Sequence, residues 1–417
     1  MKPAVLKYLF AMLLVSGYAA ASDLTDNGAA PVPKGPAAPA PPVLLPAFAG
    51  PLTANPDPFN FATPFGKIYI TGVLSGVAQT QDNVIVSPFF TDKKSLADLT
   101  NAQIFIQKVD GPIQFYAQLG AYSLPALGTP YFRSLRATHD FFSYVPEAFL
   151  KIAPTDSFSF EIGALPTLIG AEYNFTFQNM NIDRGLLWNQ ETAVSKGIQF
   201  NYTLGPVALS ASLNDGFDSN HYSWLSGSAT YTINPQNSLA FIAEGNLQRT
   251  RVNTIVTPIL QNNSQMYNLI YTYTNSPWTL EAYVQYTAVP ALAAYTPANL
   301  DPNFTTAATT SGSTAGIGLF ANYSFPTTSF LAGLSLPIRL EYISSTGNAT
   351  TGPSLINGPG SKAYSATFTP TYQYKRFFVR GEVSYVKLQN GTAPLEFGPL
   401  GNKTSQTRFK LETGVIF

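Results

Sequence analysis

From Lys67 to the last residue, Phe417, apolar side chains recur at every second position in short stretches. In KGIQFNYTL, Ile198, Phe200, Tyr202 and Leu204 alternate with Gly197, Gln199, Asn201 and Thr203. In VALSASLN, Val207, Leu209, Ala211 and Leu213 alternate with Ala208, Ser210, Ser212 and Asn214. Only Gly205-Pro206 separates the two, so they read as a hairpin. YSATFTPTYQY likewise sets Tyr364, Ala366, Phe368, Tyr372 and Tyr374 against Ser365, Thr367, Thr369, Thr371 and Gln373. Successive strand side chains point to opposite faces, so this alternation predicts a sheet that is apolar on one face and wet on the other.

About sixteen such segments run from 67–80 to 405–417, including 101–109, 143–153, 334–344 and 362–374. Short links such as Asp110-Gly111 and Tyr374 to Arg376 generally alternate with long ones at 81–100, 123–142, 168–194, 248–264, 289–314, 345–361 and 389–404. Short turns on one side and long loops on the other are the habit of transmembrane β-barrels. Pro146, Pro166, Pro337 and Pro370 fall inside four of the segments, where each removes a ladder donor. The expected fold class is all-β, a transmembrane antiparallel barrel over 67–417. A soluble sandwich would need its apolar faces to meet in one core, and 350 residues of hairpins exceed the usual size for that.

The N-terminus changes the picture. Lys2 and Lys7, the apolar run from Tyr8 to Val15 and the small residues Ala19 to Ala21 predict a signal peptide over residues 1–21, too short in its apolar part for a retained span. Residues 22–66 are proline-rich and predict a periplasmic segment mostly without regular structure, in which entry into the pore is the minor alternative. The chain is 45% hydrophobic and only 11% charged, against roughly 25% charged for soluble domains. After the signal no apolar run is long enough for a helical span, which leaves the closed barrel as the route across a bilayer. Without the signal, 21 basic residues face 23 acidic ones, a balance that gives no reason to expect a nucleic-acid partner.

Strand parity places Glu147, Lys151, Glu161, Glu244, Glu281, Arg339, Glu341, Arg380, Glu382, Arg408, Lys410 and Glu412 inside the barrel as candidate pore-lining residues. A basic residue facing lipid near the midplane would cost roughly 2–4 kcal/mol, so parity decides the assignment. Arg339/Glu341, Arg380/Glu382 and Lys410/Glu412 repeat one spacing, which sets opposite charges side by side. These pairs fit a pore lining and a salt-bridge ladder equally well. The third long connection, 168–194, is aromatic-rich and carries Glu172, Asp183, Arg184 and Glu191, which makes it a candidate constriction loop; a packed outer cap is the plainer alternative. No cofactor or metal site is predicted: there is no cysteine, and the two histidines, His139 and His221, fall on external loops with no nucleophile at a suggestive spacing.

Two resemblances add to this reading. Residues 143–233, with IGAEY, NIDRGLLW, SKGIQFNYTLGP and NDGF, resemble the OmpL-like group of β-barrel porins of bacterial outer membranes; the likeness covers about ninety residues and leaves the proline-rich leader unexplained. The last strand, with Phe409, Leu411, Val415 and Phe417 on one face, resembles the signal by which the barrel-assembly machinery recognises outer-membrane proteins, with Thr413 as a mild departure. The resemblance implies a bacterial outer-membrane location and passive diffusion of small hydrophilic solutes or ions through a water-filled lumen. The alternative is a structural or adhesive barrel that displays its loops. The expected partners are outer-membrane lipid, the assembly machinery and the solutes, with no nucleic acid and with a homo-oligomer left open.

Overall fold

The computed structural model describes residues 43–85, 92–250, 252, 254, 256–292 and 308–417, so the expected signal peptide and most of the proline-rich segment lie outside the described residues. In chain order the elements are β1 (Phe59–Thr63), β2 (Gly66–Gln81), β3 (Ser95–Lys108), β4 (Ile113–Tyr122), the short helix α1 (Ser134–Asp140), β5 (Ala148–Ile152), β6 (Phe158–Pro166), β7 (Val194–Leu204), β8 (Val207–Asn214), β9 (Trp224–Asn234) and β10 (Asn237–Asn246). Then follow β11 (Gln265–Asn275), β12 (Trp278–Val289), β13 (Gly312–Tyr323), β14 (Leu334–Ser335), β15 (Ile338–Ser345), β16 (Lys362–Phe368), β17 (Thr371–Tyr374), β18 (Phe377–Gln389) and β19 (Ser405–Ile416).

The strands pair antiparallel around one closed ring, sealed where β19 meets β2 from Arg408↔Gln81 to Ile416↔Val73. Two of the wall strands are broken. Pro337 separates β14 from β15 and Pro370 separates β16 from β17, and the breaks meet: the Thr369 N–H donates to Pro337 O at 2.9 Å, and the Gly381 N–H to Pro370 O at 3.0 Å. Each proline loses a ladder donor, but its carbonyl stays in use. With each broken pair taken as one, and β1 as a spur on β2, the wall has sixteen strands. Along β18, Phe377, Val379, Val383 and Tyr385 are exposed while Phe378, Arg380, Glu382, Ser384 and Val386 are buried, which puts the apolar row on the outer face and the polar row inside.

Two strands depart from the alternation, and part of the proline-rich segment departs from its expected place. β3 begins at Ser95 rather than 101, because Thr100 is an extra residue: Ser75 opposes Asn101 and Gly76 opposes Leu99. The bulge switches the parity of everything before it, so Ser95 to Leu99 does not continue the later rhythm. β5 covers only part of 143–153, since beyond Pro146 single bonds, Gln118 N–H to Glu147 O and Gly120 N–H to Tyr144 O, replace a regular ladder. Part of the segment expected outside the barrel is also folded against it. The Leu45 N–H donates to Gln107 Oε1 at 2.9 Å, the Ala49 N–H to Gln178 O at 2.8 Å, and Leu52 is buried with Phe105, Phe175 and Phe177. Residues 45–52 are therefore a strap within the lumen rather than a free periplasmic spacer. Gly50 is what allows the approach, because a Cβ there would lie 2.3 Å from Asn179 O.

Among the described residues no helix is long and apolar enough to cross a membrane. The closure of the ring ends on Phe417. Its N–H donates to Gly72 O at 2.9 Å and its carbonyl accepts the Gly72 N–H at 2.7 Å, while its ring lies on Gly72, where a Cβ would meet Phe417 Cζ at 2.4 Å. β1 continues the same edge of β2, from Phe59↔Ile70 to Thr63↔Gly66, so neither part of that edge is left bare. Phe417→Ala is expected to lower the heat-modifiable folded fraction in outer-membrane preparations. Gly72→Ala, which pushes the ring away, should do the same, and unchanged folding in both would remove any special role for the terminal ring.

Candidate functional site

The loop between β6 and β7, residues 167–193, turns inward, and its central run from Asn174 to Leu187 is buried throughout. Such a segment carries many backbone donors and acceptors that water cannot reach, so the wall has to satisfy them. β18 does much of this. Arg380 donates to Thr176 O at 2.8 Å and to Asn179 O and Met180 O, both at 2.9 Å, while Glu382 accepts the Ile182 N–H at 2.6 Å and the Asp183 N–H at 3.1 Å. On β15, Arg339 pairs with Glu172 at 2.6 Å and donates to Asp183 O at 2.7 Å, and Glu341 accepts the Leu187 N–H at 3.2 Å. On β19, Lys410 binds the Asp183 carboxylate, Arg408 lies 3.7 Å from it, and Glu412 accepts the Thr176 hydroxyl at 2.8 Å. Gly185 passes between two carboxylates: its N–H donates to Glu172 Oε2 at 2.6 Å, and a Cβ would stand 2.0 Å from Glu341 Oε1.

The register explains how one arc of the wall can hold so much charge. Arg380 faces Glu412, Glu382 faces Lys410 and Ser384 faces Arg408 across β18 and β19, so signs alternate both along and between strands. Arg380 and Glu412 pair directly at 3.4 Å, whereas Lys410 and Glu382 both turn to the loop.

The opposite side of the loop is held differently. Leu186 and Leu187 join Ile242, Met266, Ile270, Tyr283, Phe320 and Ile343 of the wall and Phe217 and Trp224 at the outer end in one apolar cluster. Gly316 makes room for Leu187, whose side chain a Cβ there would meet at 3.1 Å. A few hydrogen bonds fix the register: Tyr283 hydroxyl to Glu191 at 3.1 Å, Gln285 to Leu187 O at 3.1 Å, and Thr192 hydroxyl to Glu244 at 3.1 Å. Below, Phe175 and Phe177 pack with Tyr122, Phe105 and the strap residue Phe48, with ring centroids 5.2 Å apart for Tyr122–Phe175 and 5.6 Å for Phe48–Phe177. A second external loop enters as well, pairing Arg184 N–H with Pro125 O at 3.0 Å and Leu127 N–H with Arg184 O at 2.9 Å.

Of the twelve strand residues assigned inside, Glu147, Glu244, Arg339, Glu341, Arg380, Glu382, Arg408, Lys410 and Glu412 are buried, and Lys151, Glu161 and Glu281 stay partly accessible. The nine are therefore covered lumen residues rather than the surface of an open pore. Instead of facing a basic wall across a gap, Glu172 and Asp183 touch it. Glu191 and Arg184 do not: Glu191 accepts from Tyr283, and Arg184 donates to Asn174 O with its guanidinium over the Trp188 ring at 4.7 Å. Parity could not have found the strap or Leu127; the apolar residues among the prolines of 43–52 were the available signal. His139 lies on α1 with its ring on Asp140 at 2.8 Å, and this contact, with Arg136, holds the Asp140 carboxyl below its ordinary range. His221 is exposed on another outer loop.

One setting reconciles an outer face of bare Leu, Phe and Tyr with an interior of ion pairs, and that is a bilayer around the ring. The fold is that of a porin-like outer-membrane β-barrel. The chain belongs to the family described as "Putative beta-barrel porin-2, OmpL-like", whose profile matches residues 67–417, and its location is the bacterial outer membrane. Solved structures with the same fold include OmpT of Vibrio cholerae, 10% identical with a TM-score of 0.53 over 86% of this chain and 100% of that one. OmpF of Salmonella typhi, in complex with daunomycin, is 13% identical with a TM-score of 0.52 over 86% and 100%. No curated protein sequence matches the chain.

Asp183 is the point where the loop can be tested. Asp183→Ala leaves Lys410 and Arg408 buried without their shared carboxylate, a loss of about 3–5 kcal/mol. The expected result is a lower urea midpoint in detergent and new protease cleavage within 167–193, with the barrel itself still heat-modifiable.

Proposed function

We propose that the barrel is a non-enzymatic porin that passes small hydrophilic solutes by passive diffusion, with the inward loop as its resistance. The observation that supports this is the sector the loop leaves uncovered. In the periplasmic halves of β7 to β12 the inward side chains include Asn201, Ser210, Ser228, Thr230, Thr272 and Glu281, all small or polar and all still partly accessible. A wall of hydroxyls and amides offers passing solutes hydrogen bonds without a deep binding site. At the outer end of this sector Trp224, Met266 and Leu187 pack in one apolar cluster, so the expected conductance is small and depends on excursions of the loop. That same packed core favours a second reading, a barrel that displays its loops and conducts nothing.

Planar-bilayer recording separates the two. The wild type is expected to give small steps, and deletion of residues 175–188 to enlarge them while the barrel stays heat-modifiable. Silence from both proteins sinks the porin reading.

Selectivity follows from the three of the twelve assigned strand charges that remain accessible, Lys151, Glu161 and Glu281, of which Lys151 and Glu161 pair at 3.3 Å. Glu281 is left to set a weak cation preference that salt erodes as the Debye length shortens from about 10 Å at 0.1 M. Glu281→Gln should abolish the preference in reversal-potential measurements; strong anion selectivity of the wild type would place the path elsewhere.

A further inference from the structure

The outer rim of the wall carries a charge pattern that transport leaves unused. Lys362 opens β16 and Lys387 lies near the end of β18, and both share the parity of the exposed Tyr364, Val383 and Tyr385, so both side chains leave the barrel on its outer face. In the register Lys362 stands opposite Gln389, and Lys387 opposite Tyr364. The two lysines are therefore diagonal neighbours, with backbones roughly 7–8 Å apart. The Lys387 ammonium donates to Thr404 Oγ1 at 2.8 Å, and exposed Lys403 directly precedes Thr404 in the chain. Among the described residues none of these three has a carboxylate within ion-pairing distance, whereas Lys196, the outward base at the top of β7, is neutralised by Asp218 at 2.6 Å.

The level of this cluster is set by its neighbours. Tyr342 and Tyr364 pack on the outer face with centroids 4.8 Å apart, and Tyr385 follows one row lower, opposite Ala366. Interfacial tyrosines mark the depth of the headgroups, and bases beside them meet headgroup charge. Three cations with no carboxylate in reach among the described residues, just outside an aromatic belt on the extracellular half of the wall, are complementary to closely spaced anions attached to acyl chains.

We propose that Lys362, Lys387 and Lys403 form a site for the phosphate groups of a phosphorylated glycolipid of the outer leaflet, whose acyl chains lie along Tyr364, Tyr385 and Phe409. The lysines supply charge and donors to the phosphates, and the aromatic strip supplies the apolar surface that a free phosphate would not use. The site lies outside the lumen and does not depend on conduction.

The test uses the full chain purified in detergent, titrated with bis-phosphorylated lipid A and read by native mass spectrometry. Wild type should bind it, with K362Q/K387Q/K403Q about tenfold weaker or more, because each lysine near anionic headgroups adds attraction. Lipid A stripped of both phosphates should bind wild type as weakly as the intact lipid binds the triple variant, and millimolar inorganic phosphate should not displace the intact lipid. K67Q/K375Q, which removes two exposed charges from the opposite rim, should bind like wild type. Should the triple variant fail the heat-modifiability check, K362Q and K387Q singly are each expected to weaken binding about threefold. Equal binding by the lysine variants, equal binding of the dephosphorylated lipid, or displacement by inorganic phosphate overturns the proposal.

Discussion

Arg380 shows the constraint on which the rest of the structure depends. Its guanidinium is out of reach of water, and its two terminal nitrogens donate to the Thr176, Asn179 and Met180 carbonyls and to Glu412. Desolvating such a group costs several kcal/mol unless every partner is in place, so the cation and the loop that supplies the carbonyls determine each other. The same holds for Glu382 with the Ile182 and Asp183 amides, and for Arg339 with Glu172. The ring needs no such help from its interior for its own backbone, since closure alone pairs the strands. The loop does need it, because its irregular backbone could not be buried otherwise.

The wall was largely legible in the sequence because lipid outside and polar groups inside impose a period of two. Where reading and structure part, a local device has reset the period. Thr100 adds a residue and shifts the phase of β3, and Pro337 and Pro370 share one break that alternation alone reads as continuous strand. Parity also settles which side of the sheet a charge takes, as with Arg339, Arg380 and Lys410, but it is silent on the partner. Arg380 spends most of its donors on backbone carbonyls, which carry no signature in side-chain pattern.

The filling of the lumen was less legible for a related reason. A pattern of alternating residues describes a surface, and the strap around Leu52, the Pro125 to Leu127 segment and the Phe217–Trp224 pair are set by tertiary contact with that surface. Their sequence signal is compositional: apolar residues where exposed loops or a spacer should be polar. The inward loop shows it most strongly, with Phe175, Phe177, Leu186 and Leu187 alongside its charges. Gly50 and Gly185 are the finer marks, since both lie where the backbone touches an oxygen that any side chain would strike.

The two sides of the inward loop differ in kind, and this bears on how a filled barrel can belong to a family of porins. Against β15, β18 and β19 the loop is held by directional, mutually dependent charge contacts, and breaking one leaves an unpaired buried ion at about 3–5 kcal/mol. Against β11 to β13 it is held mainly by apolar side chains, each contributing about 1.5–3 kcal/mol and tolerant of sliding. The glycines at 316 and 318 thin the wall at that contact. A displacement that kept the ion pairs of the arc but gave up the Leu187 N–H to Glu341 bond would pivot about Asp183 and lift Leu186 and Leu187 from the apolar arc, toward the sector where Ser228, Thr230 and Glu281 are already accessible. The energetic asymmetry of the loop thus points to the side of the barrel on which the inner wall is hydrophilic and uncovered.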